Sequence, residues 1–180
     1  MEPLPLSGIR IIEPGQVWAL PYAIAPLAMY GAEVIKVEST VRPDSSRGGP
    51  QPDNRVEGDA WNHGGAYHEV NRNKLGITLN LNTQLGKDLF KELVSVSDVV
   101  AQNFPPRVMR NFGLDYPELT KVKPDIIVLD STAYGRPVPG RTTLATAPAS
   151  KQSPASPTSP VTRAVSRCRG ASSITIFWAR

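Results

Sequence analysis

Five short runs rich in Ile, Val and Leu recur along the first three quarters of the chain. They are GIRIIE from Gly8 to Glu13, AEVIKVE from Ala32 to Glu38, Ile77 to Leu81 within GITLNLN, DVVAQN from Asp98 to Asn103, and DIIVLDS from Asp125 to Ser131. Each has the length and β-branched content of a strand. Stretches of helical character lie between them, and this alternation restricts the chain more than any other feature. Strands that alternate with helices pair in parallel through right-handed crossovers, and the helices then cover both faces of the sheet. The expectation is an α/β fold with a mostly parallel sheet.

The intervening segments carry their own signals. Tyr22 to Tyr30 is rich in Ala, Leu and Met, follows Pro21 and stops at Gly31, the usual punctuation of a helix, with Pro26 placed to kink it. TQLGKDLFKELVSVS sets Leu85, Leu89, Phe90, Leu93 and Val94 on one helical stripe, with Asn82 or Thr83 as the cap. PPRVMRNFG and YPELTKVK read as short helices. Residues 39–72 mix Gly, Pro, Asp, Asn and Arg without period and read as a long surface loop.

The 180-residue length fits one domain with a real core. A formal charge of +4 would raise nucleic-acid binding, but residues 1–136 hold 14 Lys/Arg and all 16 Asp/Glu, while 137–180 hold six basic residues and no acid. The basic excess belongs to the tail, which lacks interleaved aromatics, so nucleic acid is not an expected partner. Charged residues and Pro interrupt every apolar run short of a membrane span, and no membrane association is expected. Cys168 stands alone and cannot form an internal bridge, which fits a reducing cytoplasm. The tail, with six Pro, seven Ser and six Thr, cannot bury enough apolar surface to offset chain entropy. The expected division is a folded domain over 1–136 and a disordered tail over 137–180.

Several local patterns invite a chemical reading. Gly135, Gly140, Arg141 and Thr142 after the fifth strand nearly spell a phosphate-cradling P-loop of an NTPase. Arg replaces Lys there, and Pro137 and Pro139 remove amide donors from the loop. His63, His68 and Glu69 in HGGAYHE straddle a Gly-Gly pair with neither helical nor strand spacing, and no metal site is expected. Asp44, Asp53 and Asp59 are irregularly spaced loop carboxylates. More informative are the junctions EPGQVWALP after the first strand and QNFPP after the fourth. In doubly wound sheets ligands bind outside the carboxyl ends of the strands, so these turns should face one crevice. Neither holds GxGxxG, which leaves a pocket of backbone and small side chains for adenine or pantetheine.

PLSGIRIIE, LPYAIAPLAMYGAEVIKVE, NRNKLGITLNLNTQLGKDLFKELVSVSDVVAQNF and VMRNFGLDYPELTKVKPDIIVLDSTAYG, in this order, resemble the amino-terminal part of the class III CoA-transferases. That family includes formyl-CoA transferase, the carnitine and bile-acid CoA-transferases and α-methylacyl-CoA racemase. The resemblance implies a Rossmann-like CoA-binding domain, incomplete here relative to the family, which normally continues into an interlocked homodimer. It implies Val17 and Ala19 in the first turn, and Asn103 and Phe104 in the fourth, as CoA contacts. Asn73 and Lys74 match the family's Asn-Lys before the third strand, and Leu79 matches a residue on the adenine side. The chain departs from the pattern at Gln16, Trp18 and Leu20, and Trp18 is placed to crowd the nucleotide.

The resemblance also implies a reaction: an Asp carboxylate attacks an acyl-CoA thioester, forms an aspartyl anhydride and releases CoA, and an acceptor carboxylic acid then resolves the anhydride. Acyl-CoA is the substrate, and no tightly bound cofactor is expected. The nucleophilic Asp lies downstream of the fifth strand in the family, whereas Asp130 is the last acid of this chain. No catalytic residue is therefore assigned. The expectation is an inactive amino-terminal fragment whose sequence after Arg136 comes from a shifted reading frame. The alternatives are a non-catalytic acyl-CoA or nucleotide binding module and a P-loop-like NTPase.

Overall fold

A computed structural model describes residues 2–49, 51, 53, 57–132 and 173–177. Six strands, β1 (Arg10–Glu13), β2 (Glu33–Glu38), β3 (Leu75–Thr78), β4 (Val99–Gln102), β5 (Ile127–Thr132) and β6 (Ser173–Phe177), form one sheet in the order β3-β2-β1-β4-β5-β6. The first five pair in parallel, as the alternating sequence requires. β6 is antiparallel to β5, with Ser173 opposite Thr132 and Phe177 opposite Val128. β6 falls within the 137–180 tail, in the alternating SITIF run, which has strand composition. The Gly135–Thr142 loop and Cys168 lie outside the described residues.

Among the described residues five α-helices lie between the first five strands: α1 (Ala19–Met29), α2 (Gly65–Val70), α3 (Gln84–Ser95), α4 (Pro106–Phe112) and α5 (Tyr116–Val122). α1 packs Leu20, Ile24 and Ala28 against Ile11, Val34 and Ala101 on one face of the sheet. The opposite face places Phe90 and Val94 of α3, Met109 of α4 and Leu119 of α5 on Ile12, Val37, Val100 and Val128. Neighbouring residues of a strand point to opposite faces, so β1, β2, β4 and β5 serve both cores, whereas the four residues of β3 are exposed.

Element bounds differ from the sequence expectation where local chemistry intervenes. α1 starts at Ala19, ahead of Pro21, because a proline in the first turn lacks an N–H that would have been unpaired anyway. It continues through Pro26 and ends before Gly31, whose φ of +101° and close approach to Leu4 leave no room for a Cβ. β3 stops at Thr78 because Asn80 turns the chain, its side chain accepting from the Asn82 amide and its carbonyl from Thr83. Thr83 is the cap of α3, accepting from the Gly86 amide at 3.1 Å. The helix is rotated from the expected stripe. Gly86, Phe90 and Val94 face the sheet, whereas Leu85 is 69% exposed and Leu89 also faces outward. Gly86 fixes this rotation, since a Cβ there would lie 2.1 Å from the Asn80 carbonyl oxygen.

Residues 39–72 are more ordered than a plain loop. They contain 3-10 turns at Ser45–Gly48 and Ala60–Asn62, and the helix α2 covers most of the HGGAYHE stretch that was expected to be non-helical. Their anchor is Glu38 at the end of β2. Arg47 grips its carboxylate through Nε at 2.9 Å and Nη2 at 2.7 Å, the Tyr67 hydroxyl donates to it, and the guanidinium sits 3.7 Å from the Tyr67 ring centre.

Candidate functional site

The strand order reverses between β1 and β4. From β1 the chain runs outward through β2 and β3, then returns to pair β4 on the other side of β1. In sheets of this kind ligands are held outside the carboxyl ends of the strands at such a reversal, which here means the loops leaving β1 and β4.

At this point the Asn103 side chain staples the turns together. Its Nδ2 donates to the Gln16 carbonyl at 2.8 Å, and its Oδ1 accepts from the Gln16 amide at 2.9 Å. Gly15 passes beneath this amide, where a Cβ would lie 2.5 Å from Leu20 Cδ2 and 3.1 Å from Asn103 Oδ1. The next residue, Val17, has φ +68°, a left-handed conformation disfavoured for a β-branched side chain. Its amide donates to both carboxylate oxygens of Asp44, at 3.1 and 3.0 Å. α1 then begins with no side-chain cap.

Charges are buried directly below the turn. Glu13 and Lys36 are register partners on β1 and β2, and both point to the α1 face. Lys36 Nζ donates to the Gly15 carbonyl and to Asp44 Oδ2 at 3.1 Å, and stands 3.9 Å from Glu13 Oε1. Lys74 Nζ meets Glu13 Oε2 at 2.6 Å, the Pro21 carbonyl at 2.9 Å and Asn71 Oδ1 at 3.2 Å. Ser46 gives Asp44 its backbone amide at 3.0 Å and its hydroxyl at 2.8 Å. Two acids and two lysines thus balance in a space closed to water.

The titration shifts follow from this packing. Burial pushes the Glu13 carboxyl above its ordinary value, against the opposing pull of Lys74 and Lys36. Burial likewise lowers Lys74, against the attraction of Glu13. Asp44 goes the other way. Burial is its largest single influence and acts upward, but Lys36 and the donors from Ser46 and Val17 together outweigh it and depress the carboxyl. Asp44 is accordingly the firmly ionised member.

Of the residues expected to touch CoA, Val17 and Ala19 lie exposed on the first turn and at the start of α1, while Asn103 and Phe104 follow β4. The stapling amide brings these turns together. The Phe104 amide donates to Gln102 Oε1, and its ring packs half-buried on the α3–α5 core. Leu79 follows β3, with its amide donating to the Glu38 carbonyl at 2.8 Å and its side chain on that same core. Asn73, at φ +61°, donates to the Ala28 carbonyl at 2.8 Å near the far end of α1. Lys74 is spent on Glu13 beneath the first turn. The Trp18 ring stacks along α1 on Tyr22, with centroids 6.4 Å apart and planes 6° from parallel. Asp130, the last acid, is buried at the end of β5 and accepts from Gln102 Nε2.

Sequence reasoning missed Glu13, Lys36 and Asp44. Glu13 and Lys36 stand inside strand runs, where a charge normally marks the solvent face, and Asp44 sits in a segment that reads as a loop.

Residues 6–153 match the family model described as CoA-transferase family III. The chain belongs to this family. The match runs past Arg136, where the likeness was expected to end. Among curated relatives, the succinyl-CoA–L-malate CoA-transferase beta subunit of Chloroflexus aurantiacus is 38% identical over 138 residues, covering 77% of this chain and 33% of that protein. The mouse succinyl-CoA:glutarate CoA-transferase is 36% identical over 135 residues, covering 75% of this chain and 30% of that protein. The chain thus spans about a third of the length of these CoA-transferases. Among solved structures, a CaiB/BaiF family protein from Brucella suis superposes with a TM-score of 0.70 at 31% identity, over 78% of this chain and 36% of that one. The parallel α/β sheet is therefore the family's fold, present here in part. Among the described residues no helix is long and apolar enough to cross a membrane.

Proposed function

We propose that the turns after β1 and β4 hold the CoA portion of an acyl-CoA, and that this chain is the CoA-holding part of a class III CoA-transferase, a transferase working between acyl-CoA and a carboxylic acid in the cytoplasm. The observation that carries this is the Asn103 staple, which ties the turn after β1 to the turn after β4 at the strand-order reversal; Val17, Ala19, Asn103 and Phe104 of these turns are the proposed CoA contacts. Leu79 would line the adenine end. Asn73 and Lys74 would act on CoA through the placement of α1, since both already bond to that helix.

In the family's reaction a carboxylate attacks the thioester carbon, the C–S bond breaks and the electron pair leaves with the CoA thiolate. This chain has no Asp or Glu after Asp130. Asp130 itself is buried and held by Gln102, a poor arrangement for a nucleophile that must reach a bound thioester. The proposed chain therefore binds acyl-CoA without cleaving it. The acid-free composition after Arg136 supports a shifted reading frame there, and a family-like, Asp-bearing translation in another frame of the same DNA would establish it.

The test is calorimetry with CoA on the whole chain, followed by incubation with succinyl-CoA and free L-malate or glutarate. Saturable CoA binding without appearance of a new thioester is the expected result. Absence of binding overturns the site, and thioester exchange overturns the claim that the chain cannot transfer.

A further inference from the structure

We infer that Asp44 is a positioning residue for the CoA site, a latch that holds the first turn in its binding shape from the 39–72 segment without touching the ligand. The inference rests on the function proposed above.

Three consecutive residues of the turn are held from three separate parts of the chain. The Gly15 carbonyl receives Lys36 of β2, both backbone groups of Gln16 bond to Asn103 after β4, and the Val17 amide bonds to Asp44. The last of these tethers acts directly on the amide of the residue with unfavourable backbone. Val17 at φ +68° has no glycine's freedom, so an interaction must hold it there. A carboxylate accepting the amide on both oxygens is the kind of strong, charge-assisted acceptor that can. Asp44 is itself fixed by Lys36 and Ser46, and is 1% exposed. It therefore cannot contact a bound nucleotide, yet it decides where Val17 and the following Ala19 lie.

Asp44 also joins the turn to the rest of its segment. Its own amide donates to Glu38 Oε2 at 3.2 Å, and its carbonyl accepts from the Arg47 amide at 3.0 Å. The Glu38–Arg47–Tyr67 anchor is thereby connected through one residue to the ligand-facing turn. Sequence reading passes over Asp44 because a loop carboxylate next to Pro43 looks like an ordinary turn residue.

The test compares Asp44→Ala and the milder Asp44→Asn with Phe90→Leu, a destabilising change on the other face of the sheet. Two quantities are read on the whole chain: the CoA dissociation constant by calorimetry, and hydrogen exchange of the Val17 amide relative to the Ile12 amide. Asp44→Ala should weaken CoA by about tenfold or more and speed relative Val17 exchange by a similar factor. Asp44→Asn, which keeps one acceptor oxygen, should fall between Asp44→Ala and the unsubstituted chain. Phe90→Leu should lower thermal stability yet leave both quantities within about twofold. If Asp44→Ala changes neither quantity beyond the Phe90→Leu control, the latch is refuted. If the unsubstituted chain binds no CoA, the proposed function fails and takes the ligand part of the inference with it. The exchange contrast then decides alone whether Asp44 holds the turn.

Discussion

On the α3–α5 side of the sheet, Phe90, Val94, Leu114 and Leu119 fill the space above Ile12, Val100 and Val128 with hydrocarbon, and a buried polar pair, Gln102 and Asp130, lies at the carboxyl ends of β4 and β5. On the α1 side, the same strands bury Glu13 and Lys36 beside Leu20 and Ile24, and Lys74 and Asp44 close over them. Both faces exclude water, but they do so for different ends. Hydrocarbon packing needs only shape and area, and it supports the sheet wherever it lies. Buried ions are costly to desolvate and are tolerated where their hydrogen bonds fix something specific, here the Gly15–Val17 backbone. The ionic face lies under the turn after β1, and the hydrocarbon face supports it from behind.

This contrast is most sharply broken by matched deletions. Lys36→Met leaves Glu13 and Asp44 facing each other without their shared cation, and should cost about 3–5 kcal/mol in denaturant unfolding. Phe90→Ala leaves a cavity and should cost a similar amount, about 3–5 kcal/mol. Their pH dependence separates them. Glu13 is already held above its ordinary range by burial, and loss of Lys36 drives it higher. The folded Lys36→Met protein then binds a proton that the unfolded chain does not, so its deficit shrinks as pH falls from neutral through the folded Glu13 pKa. The deficit of Phe90→Ala should stay flat over that range. In the unsubstituted protein Asp44 has the opposite sign. Its depressed pKa contributes stability above the ordinary aspartate range, and that stability is lost only as pH falls through its folded value.

Smaller effects refine the picture. Asn103→Ala removes both bonds to Gln16 and should cost about 1–3 kcal/mol, while releasing the first turn from the fourth. Thr83→Ala removes the cap of α3 and should cost about 1 kcal/mol by thermal melting. Leu85→Lys should change stability by no more than about 0.5 kcal/mol, because the helix turns Leu85 outward. A loss as large as that of a core residue would restore the stripe expected from sequence.

The hydrocarbon architecture was legible in the chain. Strand runs at Ile11, Val34, Val99 and Val128, separated by helical stretches, demand a parallel sheet, and the structure has one. The meeting of the turns after β1 and β4 was also legible, because strand-end position follows from topology. The rotation of α3 was not, because it depends on the contact between Gly86 and the Asn80 carbonyl, made by the chain that enters the helix. The ionic cluster was least legible of all. In AEVIKVE, Lys36 has the spacing of a solvent-facing residue, and only α1 lying over that face reveals it as 1% exposed. Asn73 and Lys74 carried a family signal, but their bonds to the Ala28 and Pro21 carbonyls are tertiary and have no trace in local pattern.

The most direct test of the account is a titration of CoA into the whole chain beside its Asn103→Ala variant. Saturable binding to the unsubstituted chain, weakened by about tenfold or more in the variant, is the predicted result. Equal affinity in the two proteins, or no binding to either, would contradict the claim that the stapled turns after β1 and β4 hold CoA.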